Sequence, residues 1–445
     1  MEDIDPLAFA SFVGLGWAVE RRTFFGGVTA LAGGSRHRLT AHGLRSHQHF
    51  GASSVASRRS RASIEELRAG LLAVTSAATE AGGPVRCALT AGHDTRVMAA
   101  LLRVAKIPVC YYTSSDSWRT DIVIGRELAE RFGLAHEITD SMSLLDGGLA
   151  ATSYVRETDG LSSLVQLVDY VEQEQPVDEL PITFWGVGGE IGRAGTGTIT
   201  KIAPNLPVVS RFSHTQRRLL SLKLDDQGLL TEEGRKLVIG FIDRYIDERL
   251  HEGWPVRELA EAFYAFERIS TWASAGPRRA AKTSDIFNPF STRTFINYCF
   301  ALKPSERYVE APHHRLLMAL DPEFAGHRFE FPFLPQRPWL AGVLATRQLW
   351  RAIRSGPRRG ASVPGAHEEP LFLNRWLATH SDFLRTLVDE APPPISQLID
   401  RERAIKLLAA SSAEQADCRD ALLRLATPLW LLADLAAPRV AAPER

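Results

Sequence analysis

The stretch Val85-Arg86-Cys87-Ala88-Leu89-Thr90-Ala91-Gly92-His93-Asp94-Thr95 is where the fold is decided. Its first five residues read as a short apolar strand, and Thr90 to Thr95 as a loop of small residues. Arg96 to Ala105 follows as a helix. Moving outward, Pro108 to Thr113 is a second strand. Thr120 caps a helix that stops at Gly133, and His136 to Thr139 is a third strand. Leu161 to Glu174 is helical, and Ile182 to Gly186 is a fourth strand. Strands that alternate with helices of this length predict βαβ units and a parallel sheet.

The flanks read differently. Ser63-Ile64-Glu65-Glu66 is a capping box, followed by Leu67, Leu71 and Val74 on one helical face. Residues 12–50 look β-rich, with Phe24 to Val28 and His37 to Thr40 as strands about a Gly33-Gly34 turn. His37, His42, His47 and His49 crowd that region. Solvated strand faces are the plainer reading, since no acid or cysteine completes a ligand set. Gln216 to Asp321 turns helical, Arg351 to Glu369 is an Arg/Gly/Pro/Ser-rich linker, and the C-terminal part is helical again. Ala421 to Ala437 reads as an amphipathic helix docked on a core.

Composition narrows the classes. Lys and Arg together number 52 and so do Asp and Glu, so the net charge is zero, against the basic excess of a dedicated nucleic-acid binder. The four cysteines (Cys87, Cys110, Cys299, Cys418) form no CxxC pair, which disfavours a zinc ribbon or a disulfide scaffold and predicts a cytoplasmic setting. No apolar run reaches the ~18 residues of a membrane span. The acidic Met1-Glu2-Asp3-Ile4-Asp5 start lacks the basic region of a signal peptide.

Two loops carry the chemistry, each at the C-terminal end of a predicted parallel strand, where doubly wound sheets bind ligands. In Thr90 to Thr95, strand, turn and helix N-terminus aim amide donors at one spot and favour an anion. Asp94 inside that cradle repels phosphate unless a cation such as magnesium bridges the two. The second loop, Gly186-Val187-Gly188-Gly189-Glu190-Ile191-Gly192-Arg193, misses the dinucleotide fingerprint because Ile191 stands where its third glycine belongs. Glu190 is a second acid in a glycine loop, a candidate for the same metal.

Thr90 to Thr95 resembles the Ser-Gly-Gly-x-Asp-Ser pyrophosphate loop of the N-type ATP pyrophosphatases, and within them the asparagine synthetase-like family. Asp121 to His136 is similar to that family's next helix and strand. Gly186 to Glu190 is similar to its Gly-x-Gly-x-Asp-Glu loop, and Ile286 to Phe290 to its Val-Pro-Phe-Leu-Asp segment. Gly26 to Leu31 and Gly33-Gly34-Ser35 resemble the end of its N-terminal amidotransferase domain. The resemblance implies an α/β fold: a parallel, doubly wound, Rossmann-like sheet of the adenine nucleotide α-hydrolase type, with a helical C-terminal region and a small N-terminal β remnant. It divides the chain into 1–55 (β remnant), 56–345 (synthetase), 346–370 (linker) and 371–445 (helical segment).

It also implies an ATP-dependent, amide-forming ligase that adenylates a carboxylate, releases pyrophosphate and passes the acyl group to an amine or ammonia. ATP and Mg2+ would be the cofactors. Leu89, Tyr112 and Gly186 would surround the adenine; Thr90, Ala91, Gly92, His93 and Thr95 would meet phosphate; Asp94 and Glu190 would hold the metal. The implied partners are a small-molecule or peptide carboxylate and an amine, with a separate amidotransferase or a precursor peptide as candidates, and neither nucleic acid nor membrane. Glu2 stands where the family has its cysteine nucleophile, so no glutaminase site is expected. Ala91 replaces a loop glycine, Val187 stands where members carry an acid or a tyrosine, and a downstream lysine has no counterpart, with Arg328 nearest. Arg96 at the helix start would reach a substrate carboxylate, cap a nearby carbonyl or stay solvated, and Arg193 would reach phosphate or a surface acid. Those departures keep a degenerate, non-catalytic relative that binds nucleotide or a partner as the alternative. A tRNA-modifying pyrophosphatase is disfavoured by the charge balance and the missing CxxC.

Overall fold

The computed structural model describes residues 3–57, 63–80, 82–114, 119–139, 147–169, 179–193, 224–273, 275–280, 283–330 and 371–436. The proposed linker at 346–370 lies outside them. The strands, in chain order, are β1 (Ser35–Thr40), β2 (Gly43–Gln48), β3 (Val85–Ala88), β4 (Cys110–Ser114), β5 (His136–Thr139), β6 (Ile182–Phe184) and β7 (Asp285–Phe287). The principal helices are α1 (Pro6–Leu15), α2 (Ile64–Thr79), α3 (His93–Val104), α4 (Arg119–Phe132), α5 (Gly147–Glu157) and α6 (Glu232–His251). They continue with α7 (Arg293–Ala301), α8 (Ala311–Leu320), α9 (Leu371–Asp389), α10 (Arg401–Leu408) and α11 (Ser412–Ala436).

The protein is α/β. Five strands form one parallel sheet in the order β5-β4-β3-β6-β7. From β3 the chain steps outward to β4 and β5, then returns to the other side of β3 for β6 and β7. The direction of progress therefore reverses between β3 and β6, which makes their C-terminal ends the switch-point crevice of a Rossmann-like sheet. β7 lies within the region the sequence reading assigned to helix. At three residues it is too short to show a period of its own.

Local chemistry explains the helices beside the sheet. Ser63 and Glu66 form the expected capping box at the start of α2, with Glu66 N–H donating to Ser63 Oγ at 3.0 Å and Ser63 N–H to Glu66 Oε2 at 3.1 Å. Gly133 follows α4 in the left-handed region, φ 62°, the conformation a helix stop there requires. α3 packs with α2 and α8, and α2 in turn with α7 and α8. Val97, Met98, Leu101 and Leu102 of α3 are fully buried.

Two expectations are corrected. Residues 12–50 are not broadly β-rich: the Phe24 to Val28 stretch makes only one isolated bridge, Phe25 with Ile4, and a second joins Arg22 and Thr29 on either side of it. The true strands, β1 and β2, turn at Ala41-His42 rather than at Gly33-Gly34. Ahead of them α1 is a core helix, capped by Asp5 and packed on α6 and α11. Its Leu-Ala-Phe-Ala-Ser-Phe-Val run is buried on every side, so it carries no amphipathic period. The last helix is corrected in the same way. Leu422, Leu425, Leu429 and Trp430 of α11 are buried, but so are Leu423, Thr427 and Leu431, so this is a buried helix and not an amphipathic one. Thr427 Oγ1 accepts Leu164 N–H at 2.9 Å, one residue before Pro428. Among the described residues no helix is long and apolar enough to cross a membrane.

Candidate functional site

Three segments converge at the switch point. The first turn of α3 brings His93 and Asp94, the 3-10 turn Gly189–Arg193 after β6 brings Glu190 and Arg193, and the start of α8 brings Glu310 and His313. Asp94 is the hub. Arg193 is ion-paired with Asp94 Oδ2, and its Nε lies 3.9 Å from Glu310 Oε2. Glu310 is in turn paired with His93 Nδ1. His313 Nε2 sits 2.8 Å from Asp94 Oδ1 but off the line of a hydrogen bond, so Oδ1 is a buried carboxylate oxygen with no donor.

The second glycine loop is shaped around these side chains. A Cβ on Gly189 would fall 2.0 Å from Asp94 Oδ1, one on Gly186 3.2 Å from Asp94 Cβ, and one on Gly192 2.7 Å from His313 Cε1. Gly188 has φ 93°, and its N–H donates to Glu190 Oε2 at 3.1 Å. Asn288 Nδ2 donates to Val187 O and ties the loop to the end of β7. Glu310 is held at φ 56°, a left-handed conformation rare outside glycine, in the residue that carries the carboxylate.

Electrostatics follow from this packing. Burial opposes the charge of Asp94, but His313 and Arg193 outweigh it and hold the carboxyl below its ordinary range. Burial acts the same way on Glu310 and is overcome by His93, Arg193 and His313. Burial also works against Arg193, yet Asp94, Glu310 and Glu190 leave its pKa above the usual arginine value. Tyr264, in a π-helical turn (Tyr264–Arg268), is pushed upward by burial and by Glu190 beside it. One guanidinium, that of Arg193, thus faces three carboxylates, Asp94, Glu310 and Glu190.

The Thr90–Thr95 segment lies between β3 and the first turn of α3 as predicted, but several of its donors are already engaged. Gly92 caps α3 with no side chain, leaving the first turn without a side-chain cap. Ala91 N–H, however, donates to Asp121 Oδ1 at 2.8 Å, and Gly92 N–H to Thr90 Oγ1 at 3.1 Å. Thr90 and Thr95 share a 2.8 Å hydroxyl–hydroxyl hydrogen bond, so the pair acts as one unit. Leu89 is fully buried, and its carbonyl accepts from Thr113 Oγ1 at 2.6 Å. Tyr112 points to the opposite sheet face from Tyr111 and lies under Arg86, 4.9 Å from the ring centre.

Two arginines are placed elsewhere than a substrate would need. Arg96 is fully buried and donates to the carbonyls of Phe324, His327 and Arg328 at 3.0–3.3 Å, stacked 4.1 Å over Phe329. Of the three roles weighed for it, capping carbonyls is the one observed. It pins residues 324–329 beside the loop, where Phe329 meets the His93 ring edge-on at 4.8 Å. Burial brings its pKa down to about 10. Arg328 is an exposed partner of Glu127, with Nε–Oε2 at 2.7 Å, and supplies no charge to the crevice. Sequence reading missed Glu310 and His313. Their only signal was two polar residues, Glu310 and His313, flanking Pro312 at the head of an apolar helix.

Among the described residues no cluster of three or more His, Cys, Asp or Glu side chains could hold a metal ion by itself. Magnesium, however, is commonly held by one or two carboxylates together with substrate phosphates. The donorless Asp94 Oδ1 in a carboxylate-rich crevice fits a cation that arrives with its phosphates. All four cysteines are free thiols, with Cys87, Cys299 and Cys418 buried. No protein-family model matches the chain, and no curated protein matches it either.

Proposed function

We propose that the protein is an ATP-dependent, amide-forming ligase of asparagine synthetase-like chemistry, on an adenine nucleotide α-hydrolase-like sheet. The observation that carries this reading is the meeting of the Thr90–Thr95 and Gly186–Arg193 loops around Asp94 at the switch point of a parallel sheet. In the reaction a substrate carboxylate oxygen attacks the α-phosphorus of ATP. The bond from that phosphorus to the bridging oxygen breaks, and pyrophosphate leaves. An amine nitrogen then attacks the acyl carbon, AMP departs with the electron pair of the acyl–oxygen bond, and the amine gives up a proton to solvent.

The chain's own contribution is placement and charge. The uncapped first turn of α3 and the Thr90–Thr95 hydroxyl pair suit the departing phosphates. Arg193 is the cation held at the loop junction. Asp94 and Glu190 would hold Mg2+, which when bound supplies neutralisation of the pyrophosphate charge. Buried Leu89 and half-buried Gly186 would wall the side where a base lies.

The test is ATP–pyrophosphate exchange over a panel of carboxylates, repeated with Asp94→Ala. Carboxylate-dependent exchange that falls by about 100-fold or more in the variant is expected. Exchange that survives the substitution overturns the role of Asp94, and absence of exchange with every carboxylate tried favours the second reading.

That second reading is a nucleotide- or partner-binding protein without catalysis. It draws support from a specific observation: Arg193 already pairs with Asp94 Oδ2, so the carboxylate is compensated without any ligand. Calorimetry with MgATP separates the two readings, since binding without exchange supports this one.

A further inference from the structure

The β1–β2 hairpin is the part of the molecule that the crevice does not explain. Between Glu20 and Glu65 the sequence holds eight arginines (21, 22, 36, 38, 45, 58, 59 and 61), four histidines and not one acid, in a chain whose net charge is zero. The hairpin gathers part of that charge on one surface. Its register pairs Arg36 with His47 and Arg38 with Arg45. Alternation along the strands then sets these four side chains on one face, all exposed. Like charges directly opposite each other weaken a ribbon, and a two-stranded ribbon is marginal even without them.

The other face carries the directly paired Leu39 and Leu44, 80% and 52% exposed. The base is fixed: His49 and Phe50 N–H both donate to Gly34 O, and the Phe50 ring meets Phe266 edge-on at 6.3 Å. Every residue of β2 is exposed, and among the described residues its ladder bonds go only to β1. The ribbon is thus anchored at one end, open along the β2 edge, basic on one face, and on the other polar toward the base with one exposed leucine pair beside the turn.

We infer that the β2 edge docks an acidic protein segment in extended conformation by strand addition. Strand addition supplies main-chain hydrogen bonds, and alternate side chains then sort to the two faces. Acids of the incoming strand would meet Arg36, Arg38, Arg45 and His47, and its apolar residues would cover Leu39 and Leu44. A nucleic acid would use the basic face but leave the leucines in water. A second copy of this chain would bring Arg45 and His47 against their own counterparts, which repel.

The experiment uses the full chain and a fluorescein-labelled octapeptide of alternating Glu and Val. Anisotropy at about 150 mM salt should show it bound at least ~10-fold more tightly than an alternating Lys-Val peptide and than a short DNA duplex. The combined Arg36→Glu, Arg38→Glu and Arg45→Glu variant should lose about tenfold or more, and Leu39→Ser with Leu44→Ser about threefold. Amide exchange at Leu44–Gln48 should slow when the peptide is present. Peptide affinity untouched by the triple variant overturns the inference. So does tighter binding of the duplex, or a concentration-dependent dimer that the triple variant abolishes. Should the triple variant fail to fold, Arg45→Gln takes its place: a loss of about threefold supports the inference and no change overturns it.

Discussion

Two charge clusters in this molecule each set one arginine between two carboxylates, with opposite access to water. In the crevice, Arg193 stands between Asp94 and Glu310, with side-chain exposures of 29%, 16% and 23%. Arg307 likewise stands between Glu258 and Glu261, but there the three exposures are 0%, 2% and 8%. Arg307 also donates to Cys299 O at 2.9 Å and Leu302 O at 3.0 Å, so it knits its own surroundings together. The two centres are joined by one short stretch, since Glu310 follows Arg307 by three residues. The sealed cluster is built to hold that stretch. The open one is built at its end, where a ligand can reach it.

The comparison breaks first at the two arginines. Arg307→Ala removes the buried guanidinium that pairs with both Glu258 and Glu261 and is expected to destabilise by about 3–5 kcal/mol in urea unfolding. Arg193→Ala should cost about 1–2 kcal/mol, because water can replace part of the lost charge. It should instead remove most carboxylate-dependent exchange, by about 100-fold. Equal losses of stability from the two substitutions would show that the crevice is as structural as the sealed cluster.

The same contrast shows what the sequence could and could not convey. Thr90 to Thr95 and Gly186 to Arg193 were legible because small residues and an acid after an apolar strand form a local pattern. The parallel sheet was legible for the same reason. Which residue answers Asp94 was not: Glu310 and His313 lie over 200 residues away and carry no pattern of their own. Arg193 was legible as a candidate, but its partner proved to be a buried acid rather than a surface one. Arg96 was legible only as an arginine beside a loop, since its partners are main-chain carbonyls at 324–328. α1 was lost because it is apolar all round.

A smaller effect sharpens the role of the glycine loop. Gly189→Ala drives a Cβ into Asp94 Oδ1, while the Cβ of Gly133→Ala meets open space at φ 62°. The first should cost about 1–3 kcal/mol through overpacking and also lower exchange. The second should cost about 1 kcal/mol through backbone strain alone and leave exchange unchanged. Matching exchange rates for the two variants would separate the loop's shape from the chemistry.

Glu267 supplies a third case, a buried carboxylate in the π-helical turn with no ion pair within reach among the described residues. It accepts Glu20 N–H at 2.9 Å, yet burial dominates and raises its pKa from 4.5 to about 7. The sign follows directly. Between those two values the folded protein holds a proton that the unfolded chain has released, so stability falls as pH rises through this window. Glu267→Gln keeps an acceptor for Glu20 N–H and cannot ionise. It should therefore change little below the ordinary carboxyl pKa and gain about 1–3 kcal/mol at a pH near 8. Asp94 and Glu310 run the opposite way: their pKa values are lowered, so their contribution is present above the ordinary carboxyl range and is lost as pH falls through the folded values. Unfolding midpoints measured from acid to mildly alkaline pH should separate the two trends, with the Gln variant flattening only the decline between 4.5 and about 7. A parallel shift at every pH would mean that Glu267 acts through packing and not through its proton.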